Sequence, residues 1–349
     1  MESKPRLLIT GISGYVGSWT CLKALESGKY TVRGTVRDQN DEKKVGLLRD
    51  AFGEHFEDLE LFSADLLDRD SIFEAVKDCD YIIHIASPFP PATPKDVEKE
   101  LYQPAVNGTK YILEACVGSN VKKVVITSST LTMMEYYKGD GETNDEVMVD
   151  EFQKMWNPYC ISKIRAEKFG FAFMKELPEK DKTFEMCTVH PSSIVGPVLI
   201  GRAETATVKL MLDCMNGTAA GLPLMYVPHT DVRDVANAHL LALEKGRDGE
   251  RYALFNRTCT FHDYAMCMSE EFSPKGYKVV TKKLSRFLVW IGSWFNQDAD
   301  FIRKIWGIKI VFKSEKAIEE LGMTYIDVKQ SIIDTGNSFI EHGLAVKKK

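Results

Sequence analysis

The sequence has no apolar run long enough to cross a bilayer, no excess of positive charge and no leader-like N-terminus. The long apolar stretch at residues 287–295 falls short of the roughly 20 residues that a spanning helix needs. Aspartate and glutamate (50) outnumber lysine and arginine (45), which gives a net charge of −5. We therefore predict a cytoplasmic protein that has no nucleic-acid partner and does not insert into a membrane.

Cysteine is present without a recognisable pattern. The eight cysteines form no C-x-x-C pair and no zinc-like spacing, so they predict reduced thiols and no metal site. The sequence also lacks internal repeats and low-complexity segments. Its 44% hydrophobic and 27% charged residues are typical of a globular protein. A length of 349 residues suits one large domain with a smaller one attached.

Short apolar runs alternate with segments of helical periodicity through the first half of the chain. Near-continuous apolar runs are typical of strands that are buried on both faces of a parallel sheet. The alternation predicts an α/β fold, a Rossmann-like doubly wound parallel sheet with a smaller C-terminal α/β lobe. The six longer predicted strands are 6–10, 30–37, 59–65, 81–86, 123–128 and 184–189, and shorter strands are predicted at 224–227 and 251–255. The predicted helices between the longer strands are 15–27, 43–52, 71–77 and 97–117.

A glycine-rich turn lies between the first predicted strand and the first predicted helix. Gly11, Gly14 and Gly17 are spaced G-x-x-G-x-x-G, one residue looser than the common dinucleotide fingerprint. Glycines permit a tight turn and the close approach of a diphosphate, and the helix N-terminus offers N–H groups and a favourable dipole. The turn therefore predicts a dinucleotide cradle. The other residues of this cradle are Ser13, Tyr15 and Val16.

Residues after the second and third predicted strands indicate which dinucleotide is bound. Arg37 stands twenty residues past Gly17, where NAD enzymes carry an acidic residue for the ribose 2′-OH. A guanidinium matches a 2′-phosphate, and Lys44 can add a second positive charge, so we predict NADPH or NADP. The alternative is that Asp38 binds the ribose. Asp65 is placed either to accept from the adenine amino group or to cap the next helix.

A tyrosine and a lysine four residues apart provide the candidate chemistry. Tyr159 and Lys163 lie on one face of a predicted helix. A phenol with its ordinary pKa of about 10 is a poor catalyst at neutral pH, and a nearby ammonium lowers that pKa. Ser128 and Ser129 end the fifth predicted strand, at the edge where parallel sheets bind ligands. The pattern predicts a serine and Tyr159 acting together on a substrate oxygen.

Several motifs follow one another along the chain: T-G-x-x-G-Y-V-G, G-T-V-R, H-I-A-S-P, P-A-V-N-G-T, T-S-S, Y-x-x-S-K-x-x-A-E-K, H-P-S-S-I-V-G-P and D-V-R-D-V-A-N-A-H. With them, almost the whole chain resembles the extended short-chain dehydrogenase/reductase superfamily. Within it, the chain is similar to the dihydroflavonol-4-reductase-like branch, which includes cinnamoyl-CoA reductases and the aldehyde and methylglyoxal reductases.

The resemblance implies roles for particular residues. Ser129, Tyr159 and Lys163 match the catalytic residues, with Ser128 as the less favoured serine. The implied cofactor contacts are Gly11, Gly14, Gly17, Arg37, Lys44, Asp65, Leu66, Ala86, Ser87, Tyr159, Lys163, Pro191 and Ile194.

One stretch departs from the pattern of the plant flavonoid enzymes. Met134 stands where those enzymes commonly have an asparagine that reaches the substrate. Methionine and aromatic side chains suit an apolar, adaptable substrate pocket, although core packing is the alternative for each of them. The residues predicted for this pocket are Met133, Met134, Tyr136, Met211, Met215 and Tyr226.

Together these features predict an NADPH-dependent carbonyl (ketone or aldehyde) reductase with a Ser-Tyr-Lys triad and a small-molecule substrate. An NAD(P)-dependent hydroxysteroid dehydrogenase or a sugar-nucleotide epimerase is the alternative among enzymes, and a non-catalytic NADP-binding sensor is the alternative of another class. We expect residues 1–200 to form the NADP-binding domain, with elements around 225–260 contributing. Residues 201–345 then form most of the substrate-binding lobe, in a monomer or homodimer.

Overall fold

A sheet of seven parallel strands forms the centre of the structure. The computed structural model describes residues 4–89, 93–151, 157–203, 205–313 and 315–347. Numbered along the chain, the strands of this sheet are β1 (Arg6–Thr10), β2 (Thr31–Val36), β3 (Leu59–Ser63), β4 (Tyr81–His84), β5 (Lys123–Thr127), β7 (Glu185–Pro191) and β10 (Arg251–Leu254). Their order is β3-β2-β1-β4-β5-β7-β10, with every neighbouring pair parallel. The strand order reverses between β1 and β4, at the switch point where such sheets bind ligands.

Helices cover both faces of the sheet because successive residues of each strand point to opposite sides. Leu7 and Ile9 pack with the helices of one face, whereas Leu8 packs with those of the other. The first face carries α1 (Tyr15–Ser27), α2 (Glu42–Phe52), α7 (Val232–Lys245) and α11 (Lys316–Leu321). The second face carries α3 (Arg69–Val76), α4 (Gln103–Cys116) and α5 (Pro158–Glu176). This double burial explains why the strands are almost continuously apolar.

Two smaller sheets accompany the large one. In the first, β9 (Tyr226–Asp231) runs parallel to β8 (Ser193–Val195) and antiparallel to β11 (Arg257–Thr260). In the second, β6 (Gly141–Thr143) pairs in parallel with β12 (Ile310–Phe312). The remaining helices are α6 (Ala206–Met215), α8 (Phe261–Phe272), α9 (Arg286–Gly292), α10 (Gln297–Lys304) and α12 (Val328–Glu341). None of the helices in the described ranges is long and apolar enough to cross a membrane.

The predicted fold class is confirmed. The six longer predicted strands coincide with β1 to β5 and β7 to within about two residues, and helices fill the connections between them. The sequence analysis does not predict β6, β8, β11 and β12. These strands have only three or four residues each, which is too short for a periodic pattern, and β6 pairs with a segment far along the chain.

The sheet brings distant motifs to one edge. Gly11 follows β1, Ala86 lies just beyond β4, Ser129 lies just beyond β5, and Pro191 ends β7. Because these four parallel strands are consecutive in the sheet, their carboxyl ends lie side by side. A ligand placed across this edge can therefore touch all four motifs at once.

Candidate active site

The glycine turn is shaped by two close backbone approaches. Gly11 has a φ of +72°, and a Cβ there would lie 3.0 Å from Cα and Cβ of Ala86. A Cβ on Gly17 would lie 2.2 Å from the carbonyl oxygen of Gly11, which no side chain can tolerate. The N–H of Gly11 donates to the hydroxyl of Thr35 at 3.1 Å, which fixes the turn to β2. Glycine is therefore required at both positions, and the turn forms a cradle that a Cβ would fill.

The start of α1 is suited to an anion. Gly14 is its N-cap, without a side-chain hydrogen bond, and the first turn has no acidic residue. The positive end of the helix dipole is therefore not neutralised by a neighbouring carboxylate. Arg202 donates from a guanidinium nitrogen to the carbonyl oxygen of Ser13 at 2.9 Å, which brings a cation to the turn. Sequence reasoning missed Arg202, because nothing links it to the turn along the chain.

Tyr15 and Val16 lie at the glycine turn, and their side chains are used within the protein for hydrogen bonding and packing. The side chain of Tyr15 is buried, and its hydroxyl donates to the carbonyl oxygen of Gly196 at 2.6 Å. Val16 packs against the apolar clusters on either side of α1. What these two residues can offer a diphosphate is therefore their backbone N–H groups.

The residues predicted for the 2′-phosphate lie near the end of β2. Arg37 is exposed directly after the strand. Lys44 lies in the first turn of α2 and forms an ion pair with Asp41 at 2.9 Å. Asp38, the alternative ribose ligand, accepts the N–H of Asn40 at 2.9 Å and so is engaged in a local turn. The guanidinium of Arg37 thus stands in solvent at the edge of the candidate site.

Asp65 and Leu66 follow β3. The carboxylate of Asp65 accepts the N–H of Leu67 at 2.8 Å, whereas the side chain that caps α3 is Asp68. Leu66 packs against α4, where a Cβ on Gly108 would come within 2.7 Å of its methyl group. The turn after β3 is therefore held by local hydrogen bonds and by packing.

The three predicted catalytic residues lie just beyond the end of β5 and in the first two turns of α5. Asn157 caps α5 by accepting the N–H of Cys160, so Tyr159 lies in the first turn. One turn later, the ammonium of Lys163 donates to the carbonyl oxygen of Thr127 at 3.2 Å. The hydroxyl oxygen of Ser129 accepts the N–H of Leu131 at 3.2 Å, which leaves its proton for another acceptor.

The neighbouring serine is engaged differently. The hydroxyl of Ser128 donates to the carboxylate of Glu167 and is buried. Its proton is therefore already used within the protein. Of the two serines, Ser129 is the one whose hydroxyl can donate outward.

Burial, rather than an interaction between the two side chains, is the main cause of the pKa shifts of Tyr159 and Lys163. Burial raises the pKa of the Tyr159 phenol, and the Cys160 thiol adds to the rise. Burial lowers the pKa of Lys163 to about 8, against a smaller opposite effect of Glu167. The spacing of the two residues predicts a phenol pKa lowered by the ammonium, but the ammonium is directed at the end of β5. Tyr159 is consequently a neutral phenol at physiological pH, which suits a proton donor.

The aromatic ring of Phe89 lies beside that of Tyr159. Its ring stands edge-on to that of Tyr159, with centroids 4.9 Å apart, and it is 43% exposed. It lies in the loop after β4 that also carries Ala86 and Ser87. Sequence analysis did not single it out, because a lone phenylalanine after a strand carries no pattern.

A buried ion pair lies directly behind the candidate site. Glu167 accepts from Arg251 at 2.7 Å, and both side chains are almost fully buried. Burial alone would raise the pKa of this carboxyl, but the neighbouring charges and the hydroxyl of Ser128 hold it below its ordinary value. Arg251 also donates to the carbonyl oxygens of Asp145 and Val147, each at 2.7 Å. The pair thereby joins α5 and β10 to Ser128 and to the segment of Asp145 and Val147.

Three imidazoles are also buried at this edge, and burial keeps each of them neutral. It lowers the pKa of His84 to about 3 and those of His190 and His239 to about 4. His239 donates from Nδ1 to the carbonyl oxygen of Val235, so its Nε2 accepts the hydroxyl of Thr127 at 2.7 Å. The imidazoles thus serve as neutral hydrogen-bond partners near the strand ends.

A small cavity of about 20 Å³ lies beneath Lys163. This volume is enough for one water molecule. The polar residues that line it are His84, Ser87, Thr109, Thr127, Ser128, Lys163, Glu167 and Thr188.

The predicted substrate-pocket residues do not form one group. Met133, Met134 and Tyr136 are buried in an apolar cluster with residues of α5, α10 and β12. Met211 and Met215 are buried in a different cluster, against α8 and α12. Tyr226 is partly exposed at the start of β9. The structure therefore shows five of the six as packing residues, and their contact with a substrate stays a prediction.

Comparison with known proteins agrees with this architecture. Residues 7–256 match the NAD dependent epimerase/dehydratase family, and the chain belongs to that family. The cinnamoyl-CoA reductase CAD2 of Medicago truncatula is 36% identical over 273 residues, which cover 75% of this chain and 79% of that protein. The dihydroflavonol 4-reductase of Arabidopsis thaliana is 30% identical over 284 residues, which cover 79% and 71%. The predicted superfamily and branch are confirmed.

A solved structure matches nearly the full length. The yeast methylglyoxal/isovaleraldehyde reductase complexed with NADPH superposes with a TM-score of 0.79 at 24% identity, covering 98% of this chain and all of the other. At this identity the match supports the fold, and the argument for function depends on the site itself.

The ion pair behind the site gives a first prediction. Glu167→Gln keeps the size of the side chain but leaves the buried Arg251 guanidinium without a counter-charge. We expect the free energy of unfolding to fall by about 3–5 kcal/mol in urea denaturation. The matched control is Glu271→Gln, which removes one partner of an exposed ion pair with Lys275 and should change it by less than about 1 kcal/mol. Equal, small effects of both substitutions would show that the buried pair does not hold the site together.

Proposed function

We propose that this protein is an NADPH-dependent reductase of small ketones or aldehydes. The observation that carries the proposal is the bond of the Lys163 ammonium to the end of β5, which brings the helix of Tyr159 and Lys163 to the strand that Ser129 follows, at the sheet edge that also holds the glycine turn. Its relatives include proteins named as cinnamoyl-CoA and dihydroflavonol reductases, which supports a reductase over the epimerase and the non-catalytic sensor. A panel of aldehydes and ketones, with NADPH consumption followed by absorbance, tests the activity directly.

The residues of the edge fit a dinucleotide. The cradle at Gly11 and Gly17 admits a diphosphate against backbone, and Arg202 adds a positive charge beside Ser13. Arg37 and Lys44 would hold the 2′-phosphate. When bound, NADPH supplies the hydride that a carbonyl carbon receives. The remaining proposed contacts are Gly14, Tyr15, Val16, Asp65, Leu66, Ala86, Ser87, Tyr159, Lys163, Pro191 and Ile194.

The protein groups act on the carbonyl oxygen. Ser129 donates a hydrogen bond to that oxygen, and Tyr159 transfers its proton as negative charge develops there. A phenol pKa raised by burial keeps this proton in place at neutral pH and makes it available to a more basic alkoxide. Lys163 supplies a positive charge to the same region and a donor for the nicotinamide ribose.

The proposal also assigns different roles to the two parts of the chain. Residues 1–200, with elements around 225–260, bind the cofactor, and residues 201–345 form most of the substrate lobe. The strand β10 supports this assignment, because it completes the large sheet beside β7. We propose a cytoplasmic monomer or homodimer that has no nucleic-acid partner.

Tyr159→Phe removes one oxygen and keeps the ring, so folding and NADPH affinity should survive. Loss of the proton donor should raise the barrier by about 3–5 kcal/mol, or roughly two to four decades in kcat. The measurements are kcat on the best substrate of the panel and the Kd for NADPH. Tyr137→Phe, which removes an exposed phenol oxygen, is the matched control. Near-normal turnover of the Tyr159 variant would mean that this tyrosine is not the acid.

Arg37→Ala should weaken NADPH binding by several-fold to a hundredfold, because one charged hydrogen bond contributes about 1–3 kcal/mol. NADH lacks the 2′-phosphate, so its Kd should hardly change. Both dissociation constants can be measured by fluorescence titration. Arg49→Ala, at another exposed arginine on the nearby α2, should alter neither. Equal weakening for NADPH and NADH would contradict the assignment of Arg37 to the 2′-phosphate.

The lowered pKa of Lys163 predicts a pH dependence. The ammonium is present below a pKa of about 8 and is lost above it, so kcat/KM for carbonyl reduction should decline as the pH rises through 8. Lys163→Met should lower kcat/KM and remove this decline. Lys168→Met, on the same helix, should leave the profile as it is. A wild-type profile that stays flat well above pH 8 would exclude Lys163 as the group that titrates.

A further inference from the structure

Helix α9 and the residues after it present a continuous apolar surface to solvent. Trp294 is 65% exposed and Phe295 is 84% exposed. Isolated exposed apolar side chains are common, but a contiguous group of this kind marks a binding surface. We name this group the aromatic ridge, and its members are Phe287, Leu288, Trp290, Ile291, Trp294 and Phe295.

The ridge is ordered by its own contacts. The rings of Phe287 and Trp290 stack at 5.9 Å, and those of Trp290 and Trp294 meet edge-on at 4.6 Å. Val289 is the residue of α9 that turns inward. The chain entering the helix is fixed by backbone hydrogen bonds to Leu222 on either side of Lys283. The aromatic side chains are therefore displayed on a fixed support.

Positive charge precedes the ridge along a chain that is negative overall. Residues 278–313 contain eight lysine and arginine residues against two aspartates, a net charge of +6, whereas the whole chain carries −5. Asp300 is paired with Arg303 and Lys304, and Lys313 is paired with Glu142, so these three cations are partly neutralised. The exposed cations that lead into the ridge are Lys278, Lys282, Lys283 and Arg286.

We propose that the aromatic ridge docks this protein on the surface of an anionic phospholipid bilayer. Tryptophan rings favour the headgroup region of a membrane, and basic side chains beside them are attracted to acidic lipids. A short helix with exposed apolar residues and flanking cations lies on a membrane without crossing it. A second copy of the chain is a poorer occupant, because a two-fold interface would set Lys282, Lys283 and Arg286 close to their own copies.

Vesicle sedimentation tests this proposal. The full-length protein is mixed with phosphatidylcholine vesicles with and without phosphatidylserine, and the bound fraction is measured at low and at high salt. We expect binding to the anionic vesicles that is weakened by salt. The double substitution Trp294→Ser with Phe295→Ser, and separately Lys282→Glu with Lys283→Glu, should each reduce the partition coefficient at least tenfold. Brominated lipids should quench the tryptophan fluorescence of the wild type on binding.

The controls separate docking from general stickiness and from self-association. Leu67→Ser removes another exposed apolar side chain, and Lys175→Glu with Lys180→Glu reverses two exposed charges away from the ridge. Neither should affect vesicle binding. Absence of binding to anionic vesicles would overturn the proposal, as would binding that all the variants retain. A dimer in light scattering that the Trp294 and Phe295 substitutions dissolve, without vesicle binding, would assign the ridge to a second copy instead.

Discussion

The buried carboxylate of Glu167 is the point on which the candidate site depends. It lies on α5 and accepts from Arg251 of β10 and from Ser128 at the end of β5. A carboxylate at this depth without donors would cost several kcal/mol or would take up a proton. Through these two bonds the carboxylate holds α5 against the end of β5 and against β10. The ion pair thus ties together the elements that carry the residues proposed for catalysis.

Burial also decides which side chains carry charge at this edge of the sheet. Burial keeps the imidazoles of His84, His190 and His239 neutral, so they serve as hydrogen-bond partners of strand ends. Lys163 keeps its ammonium until the pH reaches about 8. The positive charge at the end of β5 is therefore carried by Lys163 and not by the buried imidazoles.

The segment that follows Ser129 is held by parts of the chain that are far away in sequence. The parallel pairing of β6 with β12 ties the segment after Ser129 to the segment after α10. The ring of Tyr136 stands edge-on to that of Phe301 on α10, with centroids 6.4 Å apart. Helix α9 in turn packs against α10, so the aromatic ridge adjoins the helix that carries Phe301.

Local sequence determined the large sheet, the glycine turn and the spacing of Tyr159 and Lys163. Apolar runs and helical periods are local properties of the sequence. A turn with a φ of +72° requires glycine at that position, which is local information as well. Tertiary structure alone decided that the hydroxyl of Ser128 serves Glu167 while that of Ser129 is left to donate, and that Arg202 reaches the glycine turn. Those outcomes depend on which segments fold against one another, and no spacing along the chain encodes the depth at which a side chain is buried.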